Sequence, residues 1–138
     1  MEEHTFLEVH VEFHGEQVKL QNECEEVLMI PFCGIAKGTL INGIVEPCGV
    51  DTQVVNAAGV RHMSARYMIT GKDANGEEAH LYIENNGWSE RNLQMPFQTV
   101  PTFYTDSKAI REAIAGRQII GVGEKREDGL WICFQAIS

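Results

Sequence analysis

Asp51 and Gln53 stand two residues apart in a stretch that reads as a β-strand, so their side chains share one face. There a carboxylate and an amide can orient a polar ligand. Tyr67 shares its parity with Met63, Ala65 and Ile69, and Asn85 shares its parity with Leu81 and Ile83. A phenol and an amide are thus placed on otherwise apolar faces, where each needs a partner for its polar atoms. Two inward polar groups in a small barrel are the pattern of a ligand cavity with few orienting contacts. An internally satisfied core hydrogen bond is the competing reading, and the sequence leaves both open. Arg66 points away from Tyr67. If it faces Asp51 across the sheet, the pair makes a structural salt bridge, which is the commoner use of such residues than ligand binding. Thr105, close to a helix start, either caps that helix or reaches the same cavity, and capping is the commoner role. Asp51 with Tyr67 or Arg66 could also do general acid and base work, in the isomerisation, cyclisation or hydrolysis of a small apolar metabolite.

Other chemistries find less support. His10 and His14 share a strand parity, and His62 and His80 fall on the polar faces of neighbouring strands. No close His-x-His pair precedes a carboxylate, so no metal site is expected. Cys24, Cys33, Cys48 and Cys133 form no C-x-x-C pair and read as reduced and mostly buried. There is no G-x-S-x-G elbow, and no cysteine has a histidine close enough in the chain to suggest a pair. Gly121-Val122-Gly123 opens no helix and reads as bend glycines, so no cofactor is called for.

The elements that must position these groups are short strands. Leu7, Val9, Val11 and Phe13 alternate with polar residues, the pattern of a strand with one buried face. Further strands are predicted over 27–31, 36–45 (with Gly38 and Gly43 inside it), 53–56, 62–70, 79–85, 101–105, 119–123 and 130–137, and 86–100 reads as irregular. Asn75-Gly76 predicts a type I′ hairpin turn, and Asp128-Gly129 a second favoured turn. Ala109, Ile110, Ala113 and Ile114 fall at helical spacing, with Asp106 or Ser107 to cap the start and Gly116 to end the helix. Leu130 to Ile137 is apolar on both faces, so one face is expected to meet another element or subunit. The sum is an all-β fold with minor α content: an antiparallel β-barrel of about eight to ten strands, with one short helix before the last hairpin.

With 138 residues the chain suits a single domain spanning 1–138. Its 20 acidic and 11 basic side chains give a formal charge of -9, which repels nucleic-acid backbones and anionic lipid headgroups, so neither nucleic acid nor membrane is an expected partner. Met1-Glu2-Glu3-His4 lacks the basic start of a signal peptide, and no apolar run approaches the roughly 20 residues that span a bilayer. A soluble cytoplasmic protein is the expectation.

Ile30-Pro31, Gly38 and Gly43, Gly49-x-Asp51-x-Gln53, Ala65-Arg66-Tyr67, Asn85-x-Gly87, Pro101-x-Phe103-x-Thr105 and Gly121-x-Gly123 together resemble one bacterial and fungal family, called domain of unknown function 3237. The resemblance runs from about Phe6 to the C-terminus. It implies a calycin-like or allene-oxide-cyclase-like β-barrel, usually a stand-alone domain, with no settled activity. Two positions depart from the pattern. Thr52 stands where the family often has tryptophan, and Ala113-Ile114-Ala115 stands where many members have a Trp-Leu-Asn run. If those bulky groups line a cavity elsewhere, the pocket here is wider or differently shaped.

Two functional readings follow. In the leading one the barrel holds a small apolar or aromatic ligand, oriented by Tyr67, Asn85 and also Asp51, Gln53 and Arg66, in a cavity of at least about 300 Å³. In the other the chain is a non-enzymatic homo-oligomeric module, its subunits joined through the two-faced last strand and exposed apolar residues.

Overall fold

The computed structural model describes residues 4–137, and the side chains of 5–137. The signal-peptide reading of the first residues lies outside that range. The elements in order are β1 (His4–Phe13), β2 (Val18–Gln21), β3 (Glu26–Lys37), β4 (Ile41–Val55), β5 (Val60–Asp73), β6 (Glu78–Glu90), β7 (Phe97–Thr105), α1 (Lys108–Ile114), β8 (Ile119–Arg126) and β9 (Gly129–Ala136).

The strands pair in the order β1-β9-β8-β7-β6-β5-β4-β3-β2, all antiparallel, and β1 also pairs with β3. That last pairing closes an eight-stranded barrel and leaves β2 as an extra strand on the first half of β3. Closure follows from the alternation in the sequence. Leu7 and Val9 on β1, Ile69 on β5, Leu81 and Ile83 on β6 and Phe134 on β9 all point inward and are fully buried. Each contributes about 1.5–3 kcal/mol of hydrophobic burial.

One end of the barrel is closed by α1. The Ser107 hydroxyl accepts from the Ile110 N–H at 3.1 Å and donates to Asp73 Oδ2 at 2.8 Å, which ties the helix start to the β5–β6 turn while Ile110 enters the core. That bond and the N–H groups of Asn75 and Glu77 hold the Asp73 carboxyl below its ordinary range. Ser107→Ala is expected to lower stability by about 0.5–2 kcal/mol in chemical denaturation, the usual effect of losing an N-cap. An unchanged midpoint would mean that the cap contributes nothing.

Three local expectations need correction. The stretch 36–45 is not one strand, because the chain turns at 38–40 and β4 then runs from 41 to 55, taking in most of the separate strand expected at 53–56. Asn75-Gly76 does not form a type I′ turn: only Gly76 has positive φ (76°), and the Gly76 N–H bonds to the Asp73 carbonyl at 2.9 Å. This is a type I turn followed by a left-handed glycine, the common three-residue alternative. The irregular stretch after Asn85 is ordered strand as far as Glu90, paired with the start of β5. The outward face of β9 meets other elements, one of the two alternatives expected for it. Trp131 is only 7% exposed because His10 stacks on it at 4.7 Å and Lys37 and Arg126 lie over its ring.

Candidate functional site: an apolar cavity with unpartnered oxygens

The end of the barrel opposite the helix holds a partly enclosed cavity of about 60 Å³. Its wall is largely apolar, with Val11 and Phe13 from the end of β1, Phe32 from β3, Met63 from β5 and Leu130 and Ile132 from β9. Four polar side chains interrupt that wall: Asp51 on β4, Tyr67 on β5, Asn85 on β6 and Thr99 on β7. The register explains the convergence. Asp51 lies opposite Ala65 and Ala65 opposite Asn85, so the inward parity passes from strand to strand at one level of the barrel.

Each of the four has a buried oxygen without a hydrogen-bond partner: Asp51 Oδ1, Tyr67 OH, Asn85 Oδ1 and Thr99 Oγ1. A buried polar atom left unpaired costs about 1–3 kcal/mol, and native proteins keep few of them. Four line one cavity, where the chain itself supplies them no partner.

The other carboxylate oxygen of Asp51 is already committed. Gln53 Nε2 donates to Asp51 Oδ2 at 2.8 Å, and Arg61 Nη1 donates to Gln53 Oε1 at 2.7 Å. Arg61 is itself held by the Arg91 carbonyl, at 3.0 Å from Nε and 2.7 Å from Nη2. This chain orients the carboxyl so that Oδ1 alone faces the cavity. Burial raises the Asp51 pKa above the ordinary carboxylate value, opposed by the Gln53 hydrogen bond and the Arg61 charge. The Tyr67 phenol is raised too, by burial first and by the charge of Asp51 second, so it stays protonated at any working pH. Its ring packs edge-on against Phe32 at 5.1 Å. The site therefore offers a carboxyl that gives up its proton less readily than usual, a neutral phenol, a hydroxyl and an amide, which suits hydrogen bonding to a neutral molecule and acid or base work at Asp51.

Of the six residues singled out in the sequence, Asp51, Tyr67 and Asn85 line the cavity, and Gln53 stands behind Asp51 as its support. Arg66 does not belong. It lies opposite Val50 and Glu84 rather than Asp51, its side chain is 63% exposed, and its ion-pair partner is Glu84 at 4.0 Å. Its alternation with the inward Tyr67 sends it to the outer face, and the register sets Asp51 opposite Ala65 on the inner one. Thr105 also lies elsewhere, donating to the His80 carbonyl at 2.7 Å and accepting from the Ser107 N–H at 3.0 Å beside the helix. Thr52 faces outward between Asp51 and Gln53, so its difference from tryptophan does not widen the cavity. Thr99 and Arg61 were missed. Thr99 lay in the stretch read as irregular, although its alternation with Phe97 was a usable signal, whereas nothing in the sequence tied Arg61 to Gln53.

The cavity is smaller than the 300 Å³ expected of a small-molecule site. At the roughly 10–15 Å³ that one water needs, it holds about four or five waters, or a small polar group with part of a ring. Among the described residues no group of three histidine, cysteine, aspartate or glutamate side chains is placed to hold a metal ion. Burial and the neighbouring Glu8 and Glu124 push the Cys133 thiol up to about 12 despite Arg126 beside it, which disfavours the thiolate.

A family model described as Protein of unknown function (DUF3237) matches residues 3–137. The chain belongs to that family. Three of the four polar cavity residues of this DUF3237 chain fall on the motifs quoted above, with Asp51 in Gly49-x-Asp51-x-Gln53, Tyr67 in Ala65-Arg66-Tyr67 and Asn85 in Asn85-x-Gly87. The chain is similar to a UPF0311 protein of Clostridium acetobutylicum, 38% identical over 74 residues, a match covering 54% of this chain and 39% of that protein. The chain thus matches well under half of that relative's length. A solved structure of a protein with unknown function, also from Clostridium acetobutylicum, superposes with a TM-score of 0.76 at 25% identity over all of both chains. An enzyme from Penicillium herquei has the same fold, with a TM-score of 0.70 at 15% identity over 98% of this chain and 93% of that one. Among the described residues, no helix is long and apolar enough to cross a membrane.

Proposed function

We propose that this DUF3237 barrel binds a small, neutral, apolar or aromatic molecule at the open end of its cavity, with the polar groups of that molecule meeting Asp51, Tyr67, Asn85 and Thr99. The observation that carries the reading is the set of four buried, unpartnered oxygens on one apolar wall. A negatively charged ligand is disfavoured by the -9 charge of the chain and by Asp51 itself. The small volume means that the ligand's polar end enters the cavity while the rest lies across the mouth, beside the exposed Phe13 ring and the flexible Met63. Asp51, with one oxygen free and its pKa raised, is the group suited to exchange a proton with such a ligand in an isomerisation, cyclisation or hydrolysis. The Penicillium herquei enzyme is built on this fold, which makes chemistry in such a barrel feasible without assigning a reaction to this one. We place the protein in the cytoplasm, a setting that suits its four free cysteines.

The test is a thermal-shift screen of the purified protein against neutral hydroxylated aromatics, polyketide-like compounds, lipid metabolites and aromatic acids, repeated with Tyr67→Phe, Asn85→Ala and Thr99→Val. Ligand at about 100 times its dissociation constant adds roughly 2.7 kcal/mol, a rise of several degrees. The expected result is a hit among the neutral compounds that all three variants weaken. Without ligand, Tyr67→Phe and Thr99→Val should match or exceed the parent in stability, because each removes an unpaired hydroxyl rather than a made bond. A loss of about 1 kcal/mol in either would mean that the hydroxyl has a structural partner, and the cavity reading would fail.

A further inference from the structure

Most of the exposed large apolar side chains of this barrel are gathered on one outer face. The register across β2, β3, β4, β5, β6 and β7 sets Val18, Met29, Thr52, Ser64, Asn86 and Val100 in one row. Leu20, Val27, Val54, His62 and Trp88 form the adjacent row. All point outward, opposite in parity to the cavity residues. Val18, Leu20, Met29, Trp88 and Val100 are exposed, and so is Val60, next to His62 on the same face. Trp88 is 61% exposed yet held in place, stacked on the His62 ring at 4.7 Å and 5°. His62 in turn bonds Asn86 Oδ1 at 3.1 Å.

Two features make this more than a scatter of surface apolar residues. The two rows contain no carboxylate, lysine or arginine, in a chain with 20 acidic and 11 basic groups. Arg66, Glu84 and Glu90 stand only at the border, and the Lys19–Glu26 pair lies on the opposite face of β2 and β3. In the middle of the band the Ser64 hydroxyl is unpartnered although the residue is only 9% exposed. The band also ends at β2, which among the described residues pairs only with β3, so its outer backbone edge is open. A contiguous uncharged band rich in exposed apolar side chains and ending at an open strand edge marks an interaction surface.

We propose that this band is the interface of a homodimer, two copies meeting about a twofold axis with β2 paired antiparallel to the partner's β2. A second copy is the occupant that the charges favour. Two chains of charge -9 repel each other wherever their acidic surfaces face, and an uncharged band is where they can approach. A basic partner would be drawn to the acidic surface instead. A free antiparallel edge is self-complementary about a twofold axis, and Val18 and Leu20 would then continue the apolar band of one copy into that of the other.

Sedimentation equilibrium of the full chain at micromolar concentration tests this. The expected mass is twice the 15.5 kDa of one chain. Trp88→Glu and Leu20→Lys should each weaken the dimer by about tenfold or more in dissociation constant. Ile44→Glu, which alters an apolar residue exposed on the other half of β4, should leave the mass unchanged. Leu20→Lys does not touch the His62 stack, so it keeps the test decisive if Trp88→Glu disturbs the fold. A parent protein that is monomeric at this concentration overturns the proposal. So does a dimer insensitive to both band variants, or one dissolved by Ile44→Glu instead.

Discussion

Asp51→Asn is expected to weaken ligand binding by about ten- to a hundredfold, the effect of losing a hydrogen bond of roughly 1.5–3 kcal/mol to an ionisable group, while making the empty protein more stable at neutral pH. Both halves come from one geometry. Asp51 Oδ1 has no partner, and burial is the largest influence on its carboxyl, holding the pKa above the ordinary 3.8. A carboxyl that binds its proton more tightly folded than unfolded reduces stability as pH rises. The penalty is absent below the ordinary value, grows through the window up to the raised folded value, and is complete above it. Asparagine carries no such penalty and can still accept from Gln53. Denaturation curves of the two proteins should therefore coincide at acid pH and separate toward neutrality, with the asparagine variant the more stable. A variant less stable at neutral pH would mean that the carboxylate is a structural anion paired with the Arg61–Gln53 chain, and Asp51 would lose its place in the proposed chemistry. Stability gained where function is lost is the expected signature of a strained binding group, and a core hydrogen bond would give the opposite.

How much of this was legible in the sequence depends on what fixes each feature. Parity within a strand is local. Tyr67 with Met63 and Ile69, and Asn85 with Leu81 and Ile83, could be set inside the barrel from their spacing alone, and all six are buried. A cap at Asp106 or Ser107 followed by Ile110 and Ile114 was likewise readable, because helix spacing and capping are properties of neighbouring residues, and the structure selects Ser107. Register between strands is not local. Whether Arg66 faces Asp51 is decided by where β4 and β5 begin to pair, and one step moves every side chain to the other face. Gly38 illustrates the same limit, since a glycine suits a barrel bend and a hairpin turn equally, and only the pairing of β3 with β4 shows that the chain reverses there. The cover over Trp131 was hidden for a related reason. His10, Lys37 and Arg126 come from three separate strands, and their long side chains lay polar atoms across an apolar ring in a way that an apolar count cannot register.

The Gly121-x-Gly123 pair was read as bend glycines, and its surroundings give it a further role beside two cavity residues, Thr99 and Phe97. A methyl group at Gly121 would fall on the Thr99 hydroxyl and against the Phe134 ring, and one at Gly123 would fall on the Phe97 ring. The two absent side chains are what let β7 lie close enough on β8 for Thr99 and Phe97 to stand at the cavity, across the three residue pairs that join those strands. Gly123→Ala is therefore expected to destabilise the barrel by about 1–3 kcal/mol, the usual effect of overpacking, because a fixed aromatic ring has nowhere to go without moving β7. For a domain of this length that lowers the melting temperature by several degrees. Any ligand found in the screen should also bind more weakly, since Phe97 and the neighbouring Thr99 move together. Pairing Gly123→Ala with Phe97→Leu distinguishes crowding from loss of the bend. Leucine removes the far edge of the ring, so the double variant should recover part of the lost stability if the clash is the cause. No recovery would place the requirement in the backbone of β8, and the glycines would return to their first reading.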